Sequence, residues 1–422
     1  MTSMVLISLA AILAWSLISH RFERWGVAGP AALLLLGAAT VAWDVEAFST
    51  VIDSELAEKV VEVILAILLF VDATEVEGGV FGKEGKVIAR LVLIALPLSL
   101  ALAVLSGVLL LPTTGLLVLA VIACVIMPTD FSPAARLLRS GGVTTRARQI
   151  LNVESGYNDG VVSPVFGMSL ALAVFWTTIS RTPESELTEE VLEKPVLDFL
   201  HAFAGAVPAT LFAIVIGMAL GPGIGFAVRV ARRHDVASAV GARYVMLLLP
   251  LIAYGVASIP LFDANGFVAA FVAGVGYRLT RVRSAEAAGI DHSELLLVEE
   301  VGALAANFVW FMLGGAAVIV VVAGFDWRIV ALALLALTLV RMLPVYVSLM
   351  GSTVARADRL LIGALGPRGT ATIVFGLLAY NGLPEDEGTA VLTVMVVTVV
   401  GSILLHGVAA PLIMRRVGAA RL

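Results

Sequence analysis

Three acidic side chains stand inside sequence that otherwise reads as hydrocarbon-soluble. Asp130 belongs to Pro128-Thr129-Asp130, and Glu154 and Asp159 belong to the run Asn152 to Asp159, Asn-Val-Glu-Ser-Gly-Tyr-Asn-Asp. Carboxylates in such surroundings are costly unless they are paired, protonated or bound to a cation. Glu154 and Asn158 are four residues apart, as are Ser155 and Asp159, so a helix would carry two adjacent polar stripes. The Ser155/Asp159 stripe offers a hydroxyl and a carboxylate, hard oxygen ligands suited to a small alkali cation. Neither Cys nor His stands close by in the chain, which argues against zinc or copper.

The backbone adds to this set. Pro133 cannot donate to the carbonyl of Thr129, so that carbonyl is expected to be released beside Asp130. Thr129, Asp130, Ser155 and Asp159 together form a plausible cation site, with Asp159 and Asp130 also able to take a proton. Glu154 on the other stripe needs a countercharge. Arg341, set in an apolar run, is the candidate, with Asn158 as a bridge, and a structural ion pair is the favoured reading. A second interruption, Gly366-Pro367-Arg368-Gly369, breaks a later apolar segment and releases the carbonyl of Gly363. Paired interruptions in corresponding places of two halves point to inverted repeats with a site near mid-membrane.

The elements that must position these residues are membrane helices. The chain has 422 residues, 60% hydrophobic and 14% charged, with a mean hydropathy of +1.03. Soluble domains are about 25% charged and roughly 45–50% apolar. Apolar runs recur along the whole length, without the short alternating runs of a membrane β-barrel, so the expectation is an all-α polytopic membrane protein. About thirteen spans are predicted, near 4–19, 28–43, 57–74, 87–111, 115–138, 149–179, 197–228, 243–258, 265–278, 295–323, 328–350, 358–381 and 388–414. The first is read as a retained helix, not a signal peptide. Of the 27 Lys and Arg, 21 follow odd-numbered spans, which predicts an outside N-terminus and a cytoplasmic C-terminus. The single Cys124 allows no internal disulfide. His201 and His406 read as packing histidines, and Arg278 to Arg283 as a topology signal. No phosphate-binding loop, zinc motif or nucleophilic triad stands out, so no enzyme and no cofactor are expected. The net charge of −5 is modest and says little about partners; no nucleic-acid partner is expected.

Pro-Thr-Asp in a broken fifth helix, Glu154-Ser155 and Asn158-Asp159 in the sixth, Arg341 in the eleventh and Gly366-Pro367-Arg368-Gly369 opening a broken twelfth resemble the monovalent cation:proton antiporter family of NhaP and NHE exchangers. The resemblance covers essentially the whole chain in motif order. It implies an NhaA-like fold with a core transport domain from 87–180 and 324–422. A dimerisation domain from 1–86 and from 181–323, the latter beginning with a linker helix (the seventh), a homodimer and an elevator-like motion of the core are implied with it. Carried over by position, Asp159, Asp130, Ser155 and Thr129 match the ion site, Glu154, Asn158 and Arg341 the stabilising polar network, and Arg368 the Arg of the broken twelfth helix. The Asn158-Asp159 pair, with no Lys in Val301 to Val322, resembles the electroneutral branch. Phe131 departs from the family, which has Pro after Thr-Asp. The expected activity is exchange of Na⁺ (or Li⁺) for H⁺ across the cell membrane. The alternatives are K⁺/H⁺ exchange on the same fold, a proton-coupled small-anion symporter using Arg341 and Arg368, or a cation channel.

Overall fold

The computed structural model describes residues 2–25, 27–76, 80–134, 142–181, 189–282 and 292–410. The predicted helix ends at 135–138 and 411–414, and Arg136, Arg139, Arg283, Arg415, Arg416 and Arg421, lie outside them.

Among the described residues the helices are, in chain order, α1 (Thr2–Arg24), α2 (Gly29–Val41), α3 (Val45–Ile52), α4 (Glu55–Glu75), α5 (Gly85–Leu110), α6 (Leu116–Ile126), α7 (Thr145–Arg181), α8 (Glu189–Arg233), α9 (Ala239–Ala257), α10 (Gly266–Val282), α11 (His292–Ala323), α12 (Trp327–Leu337), α13 (Leu339–Ser348), α14 (Arg356–Ala364), α15 (Thr370–Gly382) and α16 (Glu385–Ala409). Among the described residues eight helices are long and apolar enough to cross a membrane, or nine if α2 and α3, bent by 117°, form one span. This is an all-α polytopic membrane protein. Shorter apolar pieces such as α6 and α15 account for part of the difference from thirteen.

Both expected interruptions are present. Helix α6 stops at Ile126, before Pro128, and a 3-10 turn covers Ser132–Ala134. Between α14 and α15 the residues 365–369 are non-helical. A third break was not foreseen. The eleventh predicted span divides at Thr338, whose φ of −123° and ψ of −96° leave the helical region. Helices α5 and α16 also contain π-helical turns, at Leu91–Ala95 and Ile403–Ala409.

The chain forms two compact units. One comprises Met1–Val61, Arg90–Ser155 and Ala306–Leu422, the other Glu62–Ala89 and Gly156–Ala305. In the first, α16 packs against α15, α12 and α6. Every residue from Thr370 to Ala379 is buried, so this part of α15 is enclosed on all sides, and apart from Thr370 and Thr372 it is apolar. In the second unit α10 packs against α8 and α9. Its core includes Ala242, Ala253, Ala257, Ala269 and Ala273 beside Phe70, Met246 and Tyr277. Small side chains of this kind let membrane helices approach closely. Arg278, expected in a loop, lies instead in α10 and is buried; its guanidinium donates to the carbonyls of Val76 (2.5 Å) and Val80 (3.3 Å). Carbonyls just past the end of α4, which no longer have helical partners, thereby gain a cationic donor. Arg281 pairs with the buried Glu294 at 2.5 Å.

Candidate ion site

Thr129, Asp130 and Ser155 of the candidate site lie in the first unit, where the two interrupted segments meet. Because α6 ends before Pro128, the stretch from Thr129 to Phe131 is non-helical and leaves backbone groups without helical partners. The break opposite, at 365–369, is in the same condition. Each supplies what the other lacks. The amide of Asp130 donates to the carbonyl of Pro367 at 2.9 Å. In return the amide of Thr370, the first residue of α15, donates to Oδ2 of Asp130 at 2.7 Å. The Asp130 carboxylate therefore sits at a helix N-terminus, where unspent amides and the helix dipole favour negative charge.

Gly369 makes that contact sterically feasible. A Cβ there would lie 2.3 Å from Asp130 Oδ2. The carbonyl of Thr129, released as the prolines require, accepts a 2.6 Å hydrogen bond from the hydroxyl of Ser155. Thr129 is fully buried. With the Ser155 proton committed to Thr129, the lone pairs of its oxygen remain as acceptors. Thr129 and Ser155 thus hold a carbonyl and a hydroxyl together next in sequence to the Asp130 carboxylate, oxygen types that would suit a hard monovalent cation.

Two buried arginines lie in the same unit. Arg341 and Glu154 form a bidentate pair, 2.9 Å from each guanidinium nitrogen to its carboxylate oxygen, both side chains buried. The pairing is direct. Arg341 also donates to the carbonyl of Leu365 at 3.2 Å, so one cation holds both the sixth predicted span and the end of α14. Arg368 is fully buried and donates to Gly366 O at 2.9 Å and Ala336 O at 3.2 Å. Ala336 is at the end of α12, where the break at Thr338 withdraws helical donors. A cation there meets the negative end of the helix dipole. The backbone amide of Arg368 donates to the buried Ser402 hydroxyl at 2.7 Å, and His406, one turn further along α16, bonds Ala364 O at 3.2 Å.

Asn158 and Asp159 lie one turn beyond Glu154 and Ser155 on the same continuous helix α7, and are 1% and 4% exposed, so both are enclosed by protein. They fall in the second unit. Sequence reasoning missed the Thr370 amide and Ser402, and it read Gly369 only as part of the interruption, not as the residue that admits Asp130 to the start of α15. Nothing marked Ser402.

Buried charged residues beside two interrupted helices of a polytopic bundle mark an ion-coupled membrane transporter. The sequence matches the family described as sodium/hydrogen exchanger, transmembrane, over residues 6–416. The chain belongs to that family, and is a cation/proton antiporter, not an enzyme. Its fold is similar to that of the sodium proton antiporter MjNhaP1 from Methanocaldococcus jannaschii at pH 8, with a TM-score of 0.76 and 18% identity over 98% of each chain. An electron-microscopy map of the same antiporter gives a TM-score of 0.65 and 17% identity, over 99% of this chain and 98% of that one. No curated protein matches it in sequence.

Proposed function

We propose that the protein exchanges Na⁺ (or Li⁺) for H⁺, electroneutrally and by alternating access, in the cell membrane. Asp159 and Asp130 bind cation or proton, Ser155 and Thr129 complete the cation's oxygen shell, and Glu154, Asn158, Arg341 and Arg368 hold the scaffold. The observation that carries the reading is the carboxylate of Asp130 held against the Thr370 amide, with the Ser155 hydroxyl clasping Thr129 one turn before Asp159.

The chemistry follows from competition. A charged carboxylate in a low-dielectric interior is neutralised either by a proton or by a metal ion, and the two exclude one another. A site that is empty and charged is costly to carry through the barrier, which suppresses leak. Glu154 is spent on Arg341 and is a fixed element. Residues 87–180 with 324–422 form the moving core, residues 1–86 with 181–323 the dimerisation part of a homodimer, with the N-terminus outside and the C-terminus cytoplasmic.

The test is Asp159→Asn in proteoliposomes with an imposed proton gradient. Addition of Na⁺ or Li⁺ should dissipate the gradient in wild type and not in the variant. Exchange at the wild-type rate by the variant overturns the assignment. A response to K⁺ in place of Na⁺ moves the selectivity and leaves the mechanism standing.

A further inference from the structure

The second unit carries arginines that take no part in the candidate ion site. There α8 and α10 lie against each other in parallel, in a register marked by glycines. A Cβ at Gly217 would lie 2.7 Å from the carbonyl oxygen of Ala269. One at Gly221 would run into that of Ala273, and one at Gly225 would lie 3.3 Å from that of Tyr277. Each step is four residues on both helices, and both remain helical as far as Arg233 and Val282. One turn further, the series brings Arg229 level with Arg281.

The two arginines are unequally provided for. Arg281 Nη2 bonds Glu294 Oε1 at 2.5 Å, and the Tyr277 hydroxyl donates to the other oxygen of that buried carboxylate at 3.3 Å. Arg229 shares no such ion pair among the described residues, and its Nε and Nη2 are buried without a partner, as is Nε of Arg281. A guanidinium does not give up its proton in a protein, so only an acceptor can offset the lost hydration. Nε and Nη2 form one edge of the guanidinium, the kind of fork that takes a phosphate through two parallel hydrogen bonds. Neighbouring residues fix where Arg229 stands. Gly225 and Val228 are buried, whereas Phe226 and Val230 are exposed. With about 100° between successive helical residues, Arg229 falls at the border between the seam and the outer face, and it is half-buried.

That outer face is apolar over the depth of a bilayer. Val207, Leu211, Val215, Met218, Phe226 and Val230 are exposed and recur at helical spacing. They extend over about 35 Å at ~1.5 Å per residue, against roughly 30 Å for the hydrocarbon layer. We propose that Arg229 and Arg281 hold the phosphate of an anionic phospholipid whose acyl chains lie along this face of α8. A turn of the Arg229 side chain presents its fork to the phosphate at the outer edge of the seam, while Glu294 keeps Arg281 in place beside it. A zwitterionic lipid brings a cation of its own against these two, and a free phosphate lacks the chains that the apolar face accepts. With the C-terminus in the cytoplasm, these helix ends lie on the same side, where basic pockets between helices meet anionic headgroups.

The test uses the purified full chain in detergent, with lipid binding followed by native mass spectrometry, and does not depend on transport. Dioleoyl phosphatidylglycerol should fill a saturable site on each chain, and dioleoyl phosphatidylcholine should bind there several-fold more weakly. Loss of the charge-assisted fork in Arg229→Gln should weaken phosphatidylglycerol by about tenfold. Arg229→Lys, which keeps the charge and gives up the fork, should weaken it several-fold. Arg356→Gln, which removes an exposed cation from the first unit, should leave it unchanged. Glycerol 3-phosphate at millimolar concentration should not displace the lipid, and thermal unfolding confirms that each variant is folded. Equal weakening by Arg229→Gln and Arg356→Gln, or wild-type binding by both Arg229 variants, overturns the site. Displacement by glycerol 3-phosphate makes it a free-anion site and overturns the lipid. Lipid binding that follows the fraction of dimer and not residue 229 makes the outer face of α8 a contact between copies, and overturns it equally.

Discussion

Replacing Gly369 by Ala tests the ion site through a residue that carries no chemistry of its own. The added Cβ would lie 2.3 Å from Asp130 Oδ2 and 2.6 Å from its Cγ, so about an ångström must be surrendered. The backbone of Asp130 cannot retreat without losing its 2.9 Å bond to Pro367 O. The carboxylate must therefore turn away from Thr370, and the 2.7 Å charge-assisted bond is lost. Hydrogen bonds to charged groups contribute about 1.5–3 kcal/mol. Since ~1.4 kcal/mol corresponds to a factor of ten, the half-saturating cation concentration should rise roughly ten- to a hundredfold. Cation-dependent dissipation of a proton gradient in proteoliposomes reads this directly, with thermal unfolding in detergent as the control for folding. A folded Gly369→Ala protein with wild-type half-saturation would refute the argument that Asp130, held at the start of α15, is a cation ligand.

Other outcomes follow from the same geometry. Arg341→Met leaves Glu154 buried without its bidentate partner and should cost about 3–5 kcal/mol, whereas Arg341→Met/Glu154→Gln should recover much of that; denaturation of the variants decides it. Gly366→Ala should mimic Arg341→Met in part, because its Cβ would collide with the Arg341 side chain, whose guanidinium is held by Glu154. It should lower the unfolding temperature while leaving the half-saturating cation concentration near wild type. Asp53, beyond the end of α3, has its carboxyl pushed above the usual carboxylate range, chiefly by burial and further by the charge of Glu385, against an opposing hydrogen bond from Tyr380. The folded state thus favours the neutral acid, so its contribution to stability is present at low pH and lost as pH rises through the raised value. The unfolding temperature of wild type should accordingly fall relative to Asp53→Asn as pH is raised from 4, and a constant difference would refute it.

The class of the protein was legible in the chain because water and hydrocarbon impose it. Long apolar runs admit helices and little else, and carboxylates inside them announce a function that offsets their cost. The breaks at Pro128 and Pro367 were legible for an equally local reason, since proline lacks a donor wherever it stands. Spacing on one helix likewise fixed Glu154 with Asn158 and Ser155 with Asp159. What the sequence left open depends on residues far apart in the chain. Arg341 could have bridged through Asn158 or been an anion ligand; its bidentate grip on Glu154 arises because α13 and α7 meet there. The break at Thr338 carries no proline or glycine of its own, and Arg368 supplies a donor for the carbonyl of Ala336 before it. The handover between Asp130 and the start of α15 brings together residues 240 positions apart. No local pattern encodes such a meeting, because it is the packing of two interrupted helices that sets some of their unspent amides and carbonyls opposite each other.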